Sequence, residues 1–416
     1  MDSLLALFRK LELVIQMRNE NCELKIGIFG GTFNPPHLGH IQSAWAAVQE
    51  LGLDRLIVVP AGVPPHKALP NGTPSAAARM ELAQMAFEDI PNAVVSDIEI
   101  SKERPSFTVD SIEEIKRSNP DAVIFLIVGT DMYLSLESWK DAERLLGLAI
   151  PAVLSRSASD NDKIDSFSQA IKKRYGASAK IVKNPIVEIS SSQLREMLCK
   201  REGVQYLADA CYSHIIKNRY YGAKPDWDWL RARAHSMLAA SRMPHVLGCE
   251  EIAPLLAERW GVDPDEAREA AILHDITKKL STSEHLIILE NHGIIIASIK
   301  NSEEKLLHPR TGAVLAKSEF GASDSVAEAI RWHTTGRRGM TVLEKVVYLI
   351  DYIEPTRDFP GVDILRKLAY NNLDEAVILG LEMTIADIDS RSIVPNEASL
   401  DALMDLKSQI TERTCI

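Results

Sequence analysis

The chain reads as two folds in series, an α/β unit built on a parallel sheet with helices on both faces and then an all-α unit. Three observations predict this. From residue 25 to about 189 short apolar runs alternate with helical patterns, and beyond about 192 strand-like runs become sparse while apolar residues repeat at helical spacing. A chain of 416 residues also exceeds what one hydrophobic core usually organises. The break at Tyr220-Tyr221-Gly222-Ala223-Lys224-Pro225 divides it into expected units 24–222 and 223–416.

Taken in order, residues 4–15 are apolar but interrupted by Arg9, Lys10 and Glu12, and no cleavage site follows. They are expected to form a short amphipathic helix, or to lie upstream of a true start at Met17, and not to act as a secretion signal. KIGIF (25–29), RLIVVPAG (55–62), VVSDIEI (94–100), VIFLIVGTD (123–131) and LAIPAVLSR (148–156) read as strands, with helices such as 42–50 and 75–88 between them. Helices are then expected at 191–199 and 206–219. In the second unit they are expected at 227–241, 247–260, 264–274, 283–292, 308–320, 323–332 and 341–353.

Composition narrows the function classes. A formal charge of −11 excludes a protein whose main role is to coat nucleic acid, while leaving room for local basic pockets that hold small anions. The cysteines Cys22, Cys199, Cys211, Cys249 and Cys415 form no C-x-x-C pair, which points away from a disulfide framework or zinc knuckle and toward a reducing cytoplasm. No apolar run reaches the roughly 18 residues of a membrane span. Small anionic partners are expected, with no nucleic acid and no membrane; self-association into a homo-oligomer is left open.

Two constellations carry chemistry. In GIFGGTFNPPHLGH (27–40) an apolar strand stops at Gly30-Gly31, where missing Cβ atoms admit a tight turn or a ligand, and a helix begins near His37 and His40. Those histidines are three apart, so on a helix their imidazoles face one way. Neither the dinucleotide glycine spacing nor the Walker lysine loop is present. A second phosphate cradle is suggested at Ser190-Ser191-Ser192-Gln193-Leu194-Arg195, where a serine-rich cap leaves amides and hydroxyls for an anion beside an arginine.

The helical unit carries His245, the adjacent pair His274-Asp275, His308, His333 and Asp351. Imidazoles and carboxylates with open positions suit a catalytic Fe, Mn or similar divalent ion better than a structural zinc.

On these residues the first unit resembles the HIGH-type nucleotidylyltransferases, and more closely the bacterial nicotinate-nucleotide adenylyltransferases, with a Rossmann-like fold. The resemblance implies that Gly30, Gly31, Thr32, Phe33, His37, His40, Ser191, Ser192 and Arg195 hold ATP and its phosphates, with His37 and His40 central to catalysis and Mg²⁺ sharing the charge. Val63-Pro64-Pro65-His66-Lys67, Arg79, Arg104 to Asp110 and Gly129-Thr130-Asp131 match the family in order, Phe107 standing where a tyrosine is usual. Lys67, Thr108, Asp131, Trp139 and Arg156 are thereby expected at the nicotinate nucleotide, Trp139 offering a π face to an electron-poor ring. Nicotinate mononucleotide is the expected acceptor, with nicotinamide mononucleotide or phosphopantetheine as alternatives.

Residues from about 229 to 392 resemble the HD phosphohydrolases, most closely the YqeK-like symmetrical diadenosine tetraphosphatases. The matching segments are Arg242-Met243-Pro244-His245, Leu273 to Lys278, Leu307-His308-Pro309, Trp332 to Gly336 and Asp351 to Arg357. That implies His245, His274, Asp275 and Asp351 as metal ligands and Asp275 as catalytic. His308 and His333 would complete a second metal position or contact phosphate, with Arg242, Lys278 and Arg357 as phosphate clamps. Diadenosine tetraphosphate would be split into two ADP, or the unit would sense nucleotides without turnover. His235 and His285 match nothing and are expected to be structural.

Overall fold

The computed structural model describes residues 23–62, 69–102, 106–155, 158–295 and 301–414. The readings made for residues 1–16, His66, Lys67, Arg104 and Arg156 fall outside them. The chain divides into two compact units, the first ending at Ile215 but also holding Tyr220–Lys224, the second taking Ile216–Arg219 and everything from Pro225 onward.

The first unit is a six-stranded parallel sheet. Its strands are β1 (Lys25–Gly31), β2 (Arg55–Pro60), β3 (Ala93–Val95), β4 (Val123–Gly129), β5 (Ile150–Ser155) and β6 (Lys180–Lys183), in the order β3-β2-β1-β4-β5-β6. Between them run α1 (Leu38–Leu51), α2 (Ala76–Phe87), α3 (Thr108–Ser118), α4 (Thr130–Leu134), α5 (Ala142–Leu148) and α6 (Ala158–Tyr175), and α7 (Ser191–Cys199) follows the last strand.

Strand pleating explains why β1, β2, β4 and β5 are apolar almost throughout. Ile26 and Ile28 point to one face, where they join Ile112, Ile115, Leu145 and Ile164 of α3, α5 and α6 in one core. Gly27 and Phe29 point to the other, where Leu53 and Ile127 close over Gly27, and Phe29 meets Phe33 and Phe87 of α2 edge-on with ring centroids 5.6 and 6.2 Å away. Gly27 is a packing glycine, since a Cβ there would lie 2.4 Å from Leu53 Cδ1.

One strand expectation is corrected and one strand is added. The run 94–100 contributes only its first residues to β3, because the chain turns as soon as Ser96 N–H has bonded Val58 O at 2.8 Å, and Ser101 N–H then bonds back to Asp97 O. The short edge strand β6 has no counterpart among the expected strands; its four residues KIVK carry lysines at both ends. The expected helix 206–219 is split, with a 3-10 turn at Val204–Tyr206 and α8 spanning Asp209–Lys217.

The second unit is helical among its described residues. It comprises α9 (Trp227–Ser236), α10 (Met243–Trp260), α11 (Pro264–Leu273), α12 (Thr282–Asn291), α13 (Leu307–Phe320), α14 (Asp324–Trp332), α15 (Val342–Ile353), α16 (Val362–Asn371), α17 (Leu373–Ser390) and α18 (Glu397–Thr414). Helix α15 is its axis: apart from Val342 and Tyr352 the helix is buried, and a Thr341/Glu344 capping box sets its start. Helices α10, α11 and α14 pack with it in one core that includes Ala253, Leu273, Ile330 and Leu349.

Candidate active sites

In the first unit the strand order changes direction between β1 and β4, since β2 and β3 extend on one side of β1 while β4, β5 and β6 extend on the other. In open parallel sheets ligands bind in the crevice beyond the strand ends at this point. The glycines Gly30 and Gly31 end β1, and Gly129 ends β4 directly before Thr130 and Asp131 of α4. A Cβ added at Gly30 or at Gly129 would meet no atom within 4 Å. Neither packing nor a left-handed backbone requires glycine at these two positions, so the space they leave is available to a ligand.

His37 is the N-cap of α1 and His40 lies three residues on, with their ring centroids 3.8 Å apart. The His37 backbone N–H donates to His40 Nδ1 at 3.2 Å, which places the proton of a neutral His40 on Nε2. The Phe33 ring is buried between Phe29 and Phe87, so only the backbone of this residue can face a nucleotide. Arg79 is fully buried and donates from Nη1 to Thr32 O at 2.8 Å and from Nη2 to Gly62 O at 3.0 Å. It therefore braces the loops after β1 and β2 from beneath. Burial lowers its pKa, against the pull of Tyr221.

The serine-rich cap joins the same place. Ser190 is spent on a capping box with Gln193. Ser191 Oγ donates to Pro35 O at 2.9 Å, and Arg195 Nη1 donates to Asn34 O at 2.8 Å while Nη2 reaches Ser192 Oγ at 3.2 Å. Two motifs some 150 residues apart are thus tied by hydrogen bonds spanning 156 and 161 positions. Thr108 starts α3, Asp131 is exposed in the first turn of α4, and Trp139 is half-buried after a 3-10 turn at Leu136–Ser138.

In the second unit every expected ligand converges. His245 Nε2 lies 3.2 Å from His274 Nε2, 3.1 Å from Asp351 Oδ1 and 3.9 Å from Asp275 Oδ2, and His274 Nε2 is 3.5 Å from Asp275 Oδ2. His308 Nε2 and His333 Nε2 are 3.4 Å apart and lie 3.3 and 3.7 Å from the other oxygen, Asp275 Oδ1. The reason is local. His274, His308 and His333 each donate Nδ1–H to the carbonyl three residues back (Ala271, Lys305 and Ile330, at 2.8, 2.8 and 2.7 Å), and His245 donates to Glu354 Oε1 at 3.0 Å. With all four Nδ1 protons directed outward, four Nε2 lone pairs point inward.

The His308 lone pair is met by Lys278 Nζ at 2.8 Å, whereas the lone pairs of His245 and His274, facing each other at 3.2 Å, repel unless a cation lies between them. Tetrahedral or octahedral coordination at about 2.1 Å sets neighbouring donors roughly 3.0 to 3.4 Å apart, close to that spacing. Asp275 Oδ1 is also buried without a hydrogen-bond donor, an arrangement that is costly unless a cation compensates it. The residues therefore fit a divalent metal.

Arg242 Nε donates to Asp275 Oδ2, Arg357 Nε donates to Asp351 O at 2.6 Å, and Lys278 Nζ lies 2.8 Å from His308 Nε2 and 3.6 Å from Asp275 Oδ1. Burial opposes the charges on Asp275 and Asp351, but the neighbouring imidazoles and, at Asp351, Arg357 reverse this and hold both carboxyls well below the usual range. Burial likewise pushes His274 down, and Asp275 more than offsets it, so its pKa is raised. His308 is pushed down to about 4 by burial against its bond to Asp275, and His333 is lowered for the same reason.

Two residues of this cluster had no assigned role in the sequence. Cys249 is buried with Sγ 3.6 Å from His245 Nε2, and it could join His245 and His274 around an ion. Glu354 supports His245 from behind. The signals were their spacings, four after His245 and three after Asp351, which place each on the same helix face as a ligand. His285 is buried with Nδ1 on Thr311 Oγ1 at 2.8 Å, which makes it part of the framework.

Residues 28–197 match the family described as cytidylyltransferase-like, and residues 242–356 match the HD domain. The chain is 34% identical over 198 residues to "Probable nicotinate-nucleotide adenylyltransferase" of Carboxydothermus hydrogenoformans, covering 47% of this chain and 98% of that one. A protein of the same name from Exiguobacterium sibiricum is 35% identical over 198 residues, covering 47% and 96%. Over the HD region the chain is 42% identical across 149 residues to "Bis(5'-nucleosyl)-tetraphosphatase, symmetrical" of Bacillus subtilis, covering 36% of this chain and 80% of that one.

Proposed function

Because the chain belongs through its first half to the nicotinate-nucleotide adenylyltransferases and through its second to the HD-domain symmetrical bis(5'-nucleosyl)-tetraphosphatases, we propose that it is a bifunctional cytoplasmic enzyme. Residues 24–222 transfer AMP from ATP to nicotinate mononucleotide, releasing pyrophosphate and nicotinate adenine dinucleotide. Residues 223–416 hydrolyse diadenosine tetraphosphate to two ADP.

For the transfer, the observation that carries the reading is the pair of uncrowded glycines, Gly30 and Gly129, at the reversal of strand order. The acceptor phosphate attacks the α-phosphorus directly, so the protein has to align two anions and stabilise charge on the phosphoryl oxygens, a load Mg²⁺ shares. His40 Nε2–H, the amino-terminal amides of α1, and Arg195 with Ser191 and Ser192, which are tied to the same loop, are proposed to hold the phosphates. Thr108, Asp131 and Trp139, together with Lys67 and Arg156, are proposed to receive the nicotinate nucleotide. Pyrophosphate release from ATP with nicotinate mononucleotide, nicotinamide mononucleotide and phosphopantetheine as competing acceptors tests this; a preference for either of the last two overturns the acceptor.

For the hydrolysis, the carrying observation is the inward set of imidazole lone pairs around Asp275. His245, His274, Asp275 and Asp351 would hold a divalent transition metal, which when bound would supply a Lewis acid to polarise a phosphoryl oxygen and acidify water. The chain itself provides Arg242, Lys278 and Arg357 as cations for a polyphosphate chain, and His308 and His333 as neutral imidazoles beside Asp275 Oδ1. Purified protein supplied with Mn²⁺ or Fe²⁺ and diadenosine tetraphosphate should yield ADP alone. No ADP from the wild type, or undiminished turnover in His274→Ala, would leave only a nucleotide-sensing unit.

A further inference from the structure

Glu354 is fully buried, yet it is a carboxylate and ligates nothing in the reading above. It sits at the carboxyl end of α15, three residues after Asp351, and the two acids stand beside the two nitrogens of one imidazole. Asp351 Oδ1 is 3.1 Å from His245 Nε2, and Glu354 Oε1 accepts from His245 Nδ1–H at 3.0 Å. Glu354 is itself held, since Thr356 N–H donates to Oε2 and Thr356 Oγ1–H to Oε1, both at 2.6 Å.

The facing helix is shaped to admit it. Gly248 lies inside α10, one turn after His245, where glycine is disfavoured relative to alanine. A Cβ there would stand 2.5 Å from Glu354 Oε2 and 3.1 Å from Pro355 Cδ. The helix thus carries a destabilising residue at the one place where a methyl group would displace the carboxylate.

We propose that Glu354 is a positioning residue for the metal centre, orienting His245 and fixing its proton on Nδ1 so that Nε2 faces the ion, and that Gly248 is present to make room for it. A carboxylate behind a ligating histidine fixes the tautomer and makes the ligand more basic. The inference rests on the HD-unit metal site proposed above and not on its substrate.

The test uses the full chain and Mn²⁺ titration, followed by calorimetry and by spin resonance of the unbound ion. Glu354→Ala should weaken Mn²⁺ binding by about 10- to 100-fold. Glu354→Gln, which keeps an acceptor oxygen for Nδ1–H, should lose less. Gly248→Ala should weaken binding in the same direction, although alanine favours the helix. In nitrogen-15 spectra of labelled histidine, the His245 Nδ1–H tautomer should persist in Glu354→Gln and become mixed in Glu354→Ala. Mn²⁺ binding by both Glu354→Ala and Gly248→Ala within about twofold of wild type would overturn the proposal. If Glu354→Ala fails to fold, Glu354→Gln and Gly248→Ala decide it by the same criterion. A wild type that binds Mn²⁺ but leaves diadenosine tetraphosphate intact would defeat the hydrolase reading and leave this one standing.

Discussion

Replacing Gly30 by alanine separates a glycine kept for a ligand from one kept for packing. The added methyl meets no protein atom within 4 Å, and the backbone there is an ordinary strand. Folding should therefore be unaffected or helped, by about 0.4 to 1 kcal/mol from the reduced freedom of the unfolded chain. Gly27→Ala, three residues earlier in β1, is the contrast, because its methyl would lie 2.4 Å from Leu53 Cδ1 and 3.0 Å from Ile127 Cδ1. Overpacking of that kind costs about 1 to 3 kcal/mol, or roughly 2 to 4 °C of unfolding midpoint per kcal/mol for a unit of this size. If nucleotide phosphates approach the backbone at Gly30, the same steric cost falls on the ligand, weakening ATP by roughly 5- to 150-fold. Scanning calorimetry of both variants, with titration of ATP and Mg²⁺ into each, measures the two effects separately. An unchanged ATP affinity in Gly30→Ala would place the phosphates elsewhere. A midpoint loss in Gly30→Ala equal to that of Gly27→Ala would refute the reading of open space.

Three other outcomes are expected. His274→Ala and Asp275→Asn should lose Mn²⁺ binding and ADP formation while keeping adenylyl transfer, and a chelator followed by Mg²⁺ alone should restore only the transfer; parallel loss of both activities would argue against separate sites. Arg79→Met should leave Thr32 O and Gly62 O without their donors, at about 1 to 3 kcal/mol for each buried carbonyl, seen as a lower urea midpoint; an unchanged midpoint would show that Arg79 does not brace these loops. Burial raises the Cys211 thiol to about 12 and Cys249 well above its usual value, so below those pH values both stay protonated, whereas Cys199 is exposed. Iodoacetamide at about pH 8 should therefore label Cys199 long before the other two, and equal labelling by mass spectrometry would contradict that burial.

Much of the architecture was legible because it follows from periodicity. The runs at 25–29 and 123–131 read as strands and became β1 and β4, except that Thr130 and Asp131 start α4, and the serine-rich cap at Ser190 marked the first turn of α7 to the residue. The misreadings share a cause. The run 94–100 has strand composition, but β3 is an edge whose chain turns away once its pairing with β2 ends at Val58 and Val95. The edge strand β6 has too few apolar residues to announce itself. Cys249 and Glu354 were passed over because each is unremarkable in sequence and acquires its role only from the imidazole it meets.

The amino-acid sequence by itself determined the order of the elements, the residue types able to carry phosphate and metal chemistry, and the two motifs that mark each unit, because helix and strand periods, caps and short motifs are local properties. The tertiary structure decided what each residue does. It showed that Gly27 packs while Gly30 leaves space, that Phe33 faces inward, and that Arg79 braces loops from below. It also turned four imidazoles inward by giving each Nδ1 proton an acceptor, three of them on carbonyls at helix ends and one on Glu354. Those outcomes depend on distances between residues up to 109 positions apart, which no local pattern encodes.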